Sequence, residues 1–121
     1  GDHMLLICYP KCGTCKKTQA WLDEQGIEYE YRDIKTSNPS VEELSLWHKK
    51  SGLPIKRFWN TSGQIYKALN IKEKLPSMSL EDQLNLLASD GMLVKRPIMI
   101  DGDFVLVGFK QTEWEGWLLK R

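Results

Sequence analysis

Two cysteines two residues apart, Cys12–Gly13–Thr14–Cys15, follow a short apolar run closed by Pro10, and that junction narrows the available folds more than any other feature. Leu5–Leu6–Ile7–Cys8–Tyr9 has the length and composition of a buried strand, and proline ends it. Lys11 to Gly13 read as a turn. Thr14 to Gln25 then carry helix formers, with Trp21 and Leu22 on one side and Gly26 as a C-terminal stop. Glu28 to Asp33 alternates polar and aromatic residues, as a half-exposed strand does. The result is a strand–helix–strand unit with a dithiol at its first strand-to-helix turn.

The middle of the chain reads as helical. Ser40 has the place of an N-cap and Glu43 that of its capping-box partner, ahead of a stripe of Val41, Leu44 and Trp47 that Gly52 ends. Phe58 to Gly63 is expected to be a polar turn, followed by a short amphipathic piece around Ile65, Tyr66 and Leu69. Ser79 caps a further helix with Leu80, Leu84 and Leu87 on its apolar face, and Gly91 is its expected stop. Arg96 to Ile100, the Asp101–Gly102–Asp103 turn and Phe104 to Val107 predict a hairpin. Thr112 with Glu115 is expected to cap a last helix bearing Trp114, Trp117 and Leu118. The order βαβ, helical insertion, β-hairpin and C-terminal helix predicts an α/β thioredoxin-like fold with a mixed sheet.

Composition bounds this picture. The 121 residues suit one domain, taken as 4–121, with Gly1–Asp2–His3 read as the remnant of a cleaved tag. Lys+Arg at 17 against Asp+Glu at 16 leaves a net charge of +1, which gives no general pull towards nucleic acid or a membrane surface. No apolar run approaches the roughly 18 residues of a membrane span, and no leader of signal-peptide type is expected. Three cysteines, two of them in a tight pair, suit a reducing compartment better than a disulfide-stapled secreted domain, so a cytoplasmic protein is expected.

Only a thiolate attacks a disulfide, and an ordinary thiol is mostly protonated at neutral pH. Cys12 lies just ahead of a helix, where free backbone N–H groups and the helix dipole favour negative charge, and Lys11, Lys16 and Lys17 add positive potential. Cys15, one turn further in, is expected to be more buried. These positions cast Cys12 as the nucleophile and Cys15 as the resolving thiol, with an intramolecular disulfide as the product. A zinc site would need a second pair of ligands. The only other candidates, Cys8 and His48, lack paired-ligand spacing, so no metal is expected. Cys8 itself reads as a small core residue and His48 as solvated.

Pro97 sits ahead of a strand, where a thioredoxin-type fold places a cis-proline facing its dithiol. Arg96 would then lie near Cys12 and either bind an anion or tune the thiolate; the alternative is a solvated surface charge. Trp21, Trp47, Trp114 and Trp117 fall on apolar helix faces, which leaves Trp59, beside the polar turn, as the tryptophan expected to be exposed.

The dithiol after the first strand, Asn60–Thr61–Ser62–Gly63, Asp90–Gly91–Met92–Leu93–Val94–Lys95–Arg96–Pro97 and Val107–Gly108–Phe109–Lys110 together resemble the arsenate reductase-like (ArsC) family. Its Spx/MgsR branch consists of redox-sensing transcriptional regulators. The similarity runs from Leu5 to Leu118 and implies a thioredoxin-like fold with a nucleophilic cysteine at Cys12. Glutaredoxin-coupled arsenate reductases use one cysteine with three arginines that hold the oxyanion. Cys12 and Arg96 match that pattern, whereas the other two arginine positions fall at Asn60 and near Gly108.

Cys15 and the Val-Gly-aromatic stretch are instead features of the Spx-type branch. That branch implies a disulfide switch controlling binding to the C-terminal domain of the RNA polymerase α-subunit. Gly52 falls where the branch places a partner-contacting glycine, although it also reads as a plain helix C-cap; the branch's basic residue in the middle turn is Ser62 here. The resemblance therefore implies a thiol–disulfide redox protein using Cys12 and Cys15. A regulator binding the polymerase α-subunit and an arsenate reductase are the alternatives. Thioredoxin, or glutaredoxin with glutathione, would supply electrons; no cofactor, direct nucleic-acid contact or membrane contact is expected.

Overall fold

The computed structural model describes residues 4–119; Gly1–His3, read above as a tag remnant, and the last two residues of the expected 4–121 domain lie outside the described residues. Four strands, β1 (Met4–Cys8), β2 (Glu30–Asp33), β3 (Ile98–Asp101) and β4 (Phe104–Val107), form one mixed sheet in the order β2-β1-β3-β4. β1 runs parallel to β2 and antiparallel to β3, with Ile7 opposite both Arg32 and Ile98. The parallel pair is joined by α1 (Gly13–Glu24), the crossover that parallel neighbours require. β3 and β4 form the expected hairpin, with Gly102 at φ +62° in its turn.

Both faces of the sheet are covered, so alternate residues enter two different cores. Leu6, Cys8, Met99 and Leu106 face α1 and α6 (Gln111–Leu118), where they meet Cys15, Trp21, Leu22 and Trp114. Ile7, Ile98, Val105 and Val107 face the helical insertion. That block comprises α2 (Val41–Ser51), α3 (Gln64–Ala68), α4 (Ile71–Lys74) and α5 (Leu80–Ser89), and it contributes Leu44, Trp47, Tyr66, Ile71, Leu84 and Leu87. The capping box at Ser40 and Glu43 forms, and Gly52 closes α2 at φ +68°. Glu43 also takes two hydrogen bonds from Arg32, at 2.6 and 2.8 Å, which fix α2 to the edge strand β2.

Several local expectations are corrected. Phe58 to Gly63 is not a polar turn: Ile55–Phe58 forms a 3-10 turn, and Phe58, Trp59 and Asn60 are buried. Trp59, expected to be exposed, is 2% exposed; it pairs with Val94 across an isolated bridge, and its indole N–H donates to Gln83 at 3.1 Å. His48 is half-buried, with its ring edge-on to Phe58 at 5.9 Å. Leu80 lies in the first turn of α5 and is exposed, so the buried Leu84 and Leu87, with half-buried Leu86 and Ala88, anchor that helix. α6 starts before Thr112, from Lys110 as N-cap with no side-chain cap, because the buried Trp114 sets its position by donating to the Gly108 carbonyl at 3.0 Å. Gly91 is not a helix stop. α5 ends at Ser89, and Gly91 opens a 3-10 turn pressed against the Ile34 carbonyl.

Candidate functional site

β1 delivers the dithiol. Its last residue, Cys8, is followed by Tyr9–Cys12, a turn closed by the Cys12 amide donating to the Tyr9 carbonyl at 3.0 Å. Pro10 suits the second position of such a turn, since its φ is already set and it has no amide hydrogen to satisfy. Cys12 is the N-cap of α1 in extended conformation, and its side chain makes no capping bond. No acidic residue occupies the first turn, so nothing opposes the dipole there. Cys12 is half-buried while Cys15, one helical turn on, is fully buried.

Cys12 opens onto a cleft of about 570 Å³ whose walls include Thr14, Lys35, Asn60, Asp90, Lys95 and Arg96. Arg96 therefore lines the same cleft as Cys12, its guanidinium 5.2 Å from the Tyr9 ring centroid. Arg96 Nη1 is buried and has no hydrogen-bond partner among the described residues. The Arg96–Pro97 peptide bond is cis. Lys11, Lys16 and Lys17 are exposed and do not line the cleft, and Gly52 lies outside it at the end of α2. No group of three or more potential metal ligands occurs among the described residues, and no helix among them is long and apolar enough to cross a membrane.

The positions where the resemblance expects two further arginines are occupied differently. Asn60 is 8% exposed and braces its own loop: its amide nitrogen reaches the Met92 carbonyl at 3.3 Å, and its backbone N–H reaches Leu93 at 2.8 Å. Gly108 sits at φ +76°, a conformation that favours glycine, and a Cβ there would touch the Lys95 side chain at 3.4 Å. Its N–H is taken by the Pro97 carbonyl at 2.8 Å.

The thiol cluster extends one residue beyond the expected pair. Leu6 and Cys8 share a sheet face, and that face is covered by α1, so Cys8 lies beneath Cys15. The Cys8 side chain hydrogen-bonds Cys15, and the Tyr9 backbone N–H also points at the Cys15 sulfur, 3.4 Å away. The Cys12 side chain hydrogen-bonds the same sulfur, so three groups converge on Cys15. The hydrogen bond from Cys8, followed by that from Tyr9, holds the Cys15 thiol below its ordinary range despite its burial. The same contact, with burial, pushes Cys8 upward, so the pair favours the proton on Cys8 over Cys15. Strand alternation alone would have put Cys8 on the α1 face, but the contact with Cys15 depends on how α1 sits.

Cys8→Ala removes the first of these donors. The thiolate absorbance of Cys15, isolated by difference from a Cys15→Ser protein, is expected to develop at higher pH, with proton affinity raised about tenfold. Cys8→Ser keeps a donor and should stay close to the parent curve. A Cys8→Ala titration superimposed on the parent would break this pairing.

The chain is similar to known proteins along most of its length. The ArsC family model matches residues 8–117. The uncharacterized protein YusI of Bacillus subtilis is 55% identical over 107 residues, covering 88% of this chain and 91% of that protein. The global transcriptional regulator Spx of Enterococcus faecalis is 31% identical, with 91% and 82% covered. A crystal structure of an ArsC family related protein from Bacteroides fragilis superposes with a TM-score of 0.91 at 53% identity, covering 93% of this chain and 95% of that one. With the match spanning the Cys12–Cys15 pair, the cis-proline and strands β2 to β4, the chain belongs to the ArsC family.

Proposed function

We propose that the protein is a thiol–disulfide redox protein in which Cys12 attacks and Cys15 resolves. The observation that carries this reading is the contrast between the two sulfurs: Cys12 is half-buried and borders an open cleft, whereas Cys15, one helical turn on, is fully buried behind it. The Cys12 thiolate attacks a substrate disulfide, and one half leaves as a thiolate that takes up a proton. The other half stays bound to Cys12 as a mixed disulfide. Cys15 then attacks Cys12 Sγ and expels the second half. The substrate gains two electrons and the protein becomes the Cys12–Cys15 disulfide. A thiol donor such as thioredoxin, or glutaredoxin with glutathione, returns it to the dithiol, which places the cycle in a reducing compartment, the cytoplasm.

A second reading is a redox-regulated binding protein for the C-terminal domain of the polymerase α-subunit. It draws on the likeness to Spx and on Gly52, which is exposed with open space around it. The αL backbone there is already explained by the C-cap, so Gly52 adds little by itself. An arsenate reductase would lack two cationic contacts to its oxyanion at Asn60 and Gly108, each worth roughly 1.5–3 kcal/mol.

The deciding experiment incubates reduced protein with a small disulfide, with arsenate plus thiol donor, and with the immobilised α-subunit domain. Stoichiometric disulfide reduction, with a tryptic map showing Cys12 joined to Cys15, supports the redox reading. Retention on the α-subunit domain that changes with oxidation, without turnover, would replace it by the regulator. A map joining Cys8 to Cys15 would overturn the assigned roles.

A further inference from the structure

Beyond Arg96 the dithiol cleft adjoins a second hollow of about 530 Å³ that shares Thr14, Lys95 and Arg96 with it. Arg57, Lys95, Arg96 and Lys110 line this hollow, together with Thr14 and the Val107–Gly108–Phe109 stretch, and no carboxylate joins them. The chain as a whole is almost neutral, at +1, so four cations around one hollow are a local concentration. The ion pairs of the described residues join Arg32 to Glu43 and Lys50 to Asp103, which leaves these four outside them.

The arrangement comes from three separated segments that the fold holds together. Arg57 projects from the 3-10 turn Ile55–Phe58, and the Lys95 amide ties to that turn by donating to the Phe58 carbonyl at 2.8 Å. The glycine at 108 leaves room for the Lys95 stem to lie across it, and hydrogen bonds to Pro97 and Trp114 fix that glycine on both sides. Lys110 follows at the start of α6, exposed. Arg96 connects the two hollows and retains an unused buried donor, Nη1.

We infer that the protein selects disulfides bearing carboxylates next to the scissile bond, the carboxylates lying in the Arg57–Lys110 hollow while the sulfur meets Cys12. This rests on the reading of Cys12 and Cys15 as a redox pair and adds the class of substrate. Lysine and arginine form charge-assisted hydrogen bonds with carboxylates, and a hollow of one sign also raises the local concentration of an anionic partner. The carboxylates belong either to a small disulfide or to an acidic peptide.

The test measures second-order rate constants of the reduced protein with three small disulfides: dithiodiglycolate (dianion), hydroxyethyl disulfide (neutral) and cystamine (dication). A parallel arm uses peptide disulfides flanked by glutamates, glutamines or lysines. Each rate is divided by the rate of the same disulfide with free cysteine, which removes intrinsic reactivity. The anionic member is expected to react about tenfold faster than the neutral one in at least one arm, and high salt should erase the preference. Preference among the small disulfides assigns the small source, and preference among the peptides alone assigns an acidic segment. In Arg57→Ala/Lys110→Ala, two exposed sites whose replacement should leave the circular dichroism spectrum unchanged, the ratio of anionic to neutral rates should fall several-fold. Lys67→Ala, remote from this hollow, should keep the parent ratio. Equal normalised rates across the charge series, or a double variant with the parent ratio, would overturn the inference while sparing the redox reading. No reaction with any disulfide would sink both.

Discussion

Gly91→Ala is expected to destabilise the protein by about 3 kcal/mol or more, read as a lowered denaturant midpoint at unchanged slope. A Cβ at this position collides with the Ile34 carbonyl oxygen and lies 2.8 Å from its carbonyl carbon and 3.2 Å from Asn38 Cβ. Rotamer changes give no relief, because the obstacle is backbone. Neither can the segment move freely. Ile34 is fully buried with its amide bound to Cys8 at 2.8 Å, and Asn38 holds the Ala88 carbonyl at 2.7 Å. Gly116→Ala provides the contrast. It lies inside α6 with open space around it, so the better helix former should stabilise by about 0.5–1 kcal/mol. Equal midpoints for the two variants would mean that the crossing of the Ile34 segment with the end of α5 is looser than described.

The second large effect separates the two active thiols. Cys12→Ser should lose reaction with small disulfides by a factor on the order of a thousand or more, because a hydroxyl cannot take over thiolate attack. Cys15→Ser should still react once, since the half-buried Cys12 remains at the cleft, but it should stop at the mixed disulfide. Intact mass spectrometry would then show the protein carrying one substrate half. The parent chain should instead show the loss of two hydrogens. A Cys15→Ser protein as unreactive as Cys12→Ser would mean that the buried sulfur performs the attack, and the roles would have to be exchanged.

Most of the framework was legible from local patterns. The unbroken apolar runs Leu5 to Cys8 and Phe104 to Val107 mark strands, because a sheet covered on both faces needs apolar residues at odd and even positions alike. Ser40 with Glu43 and Gly52 delimit α2 because capping is a matter of neighbours in sequence. Trp59 was misread for the opposite reason. Its neighbours Asn60, Thr61 and Ser62 are polar, yet its burial is settled by Val94 and Gln83, which lie far along the chain. The start of α6 is likewise set by the Trp114 indole reaching back to Gly108, against the cap that Thr112 offers.

The site divides along the same line. The dithiol, its turn and the cis-proline are short motifs, and each falls where the sequence placed it. Cys8 as partner of Cys15 depends on the packing of α1 over β1, which no window of residues contains. The cations at 57, 95, 96 and 110 come from a 3-10 turn, the approach to β3 and the start of α6, so their clustering exists only in three dimensions.

The sheet order has a consequence for how the chain is made. β1, which precedes the other three strands of its sheet in the chain, is a central strand: Met4 pairs with Asp101 and Ile7 with Ile98. Pairings so distant in sequence form late, after the entropy of closing a long loop has been met. Until the ribosome has released the final hairpin, Cys8 and Cys15 belong to an unfinished chain and are as open to oxidants as Cys12. The difference between an accessible and a sheltered sulfur therefore arises only after the β3–β4 hairpin, about ninety residues further along the chain, has been made.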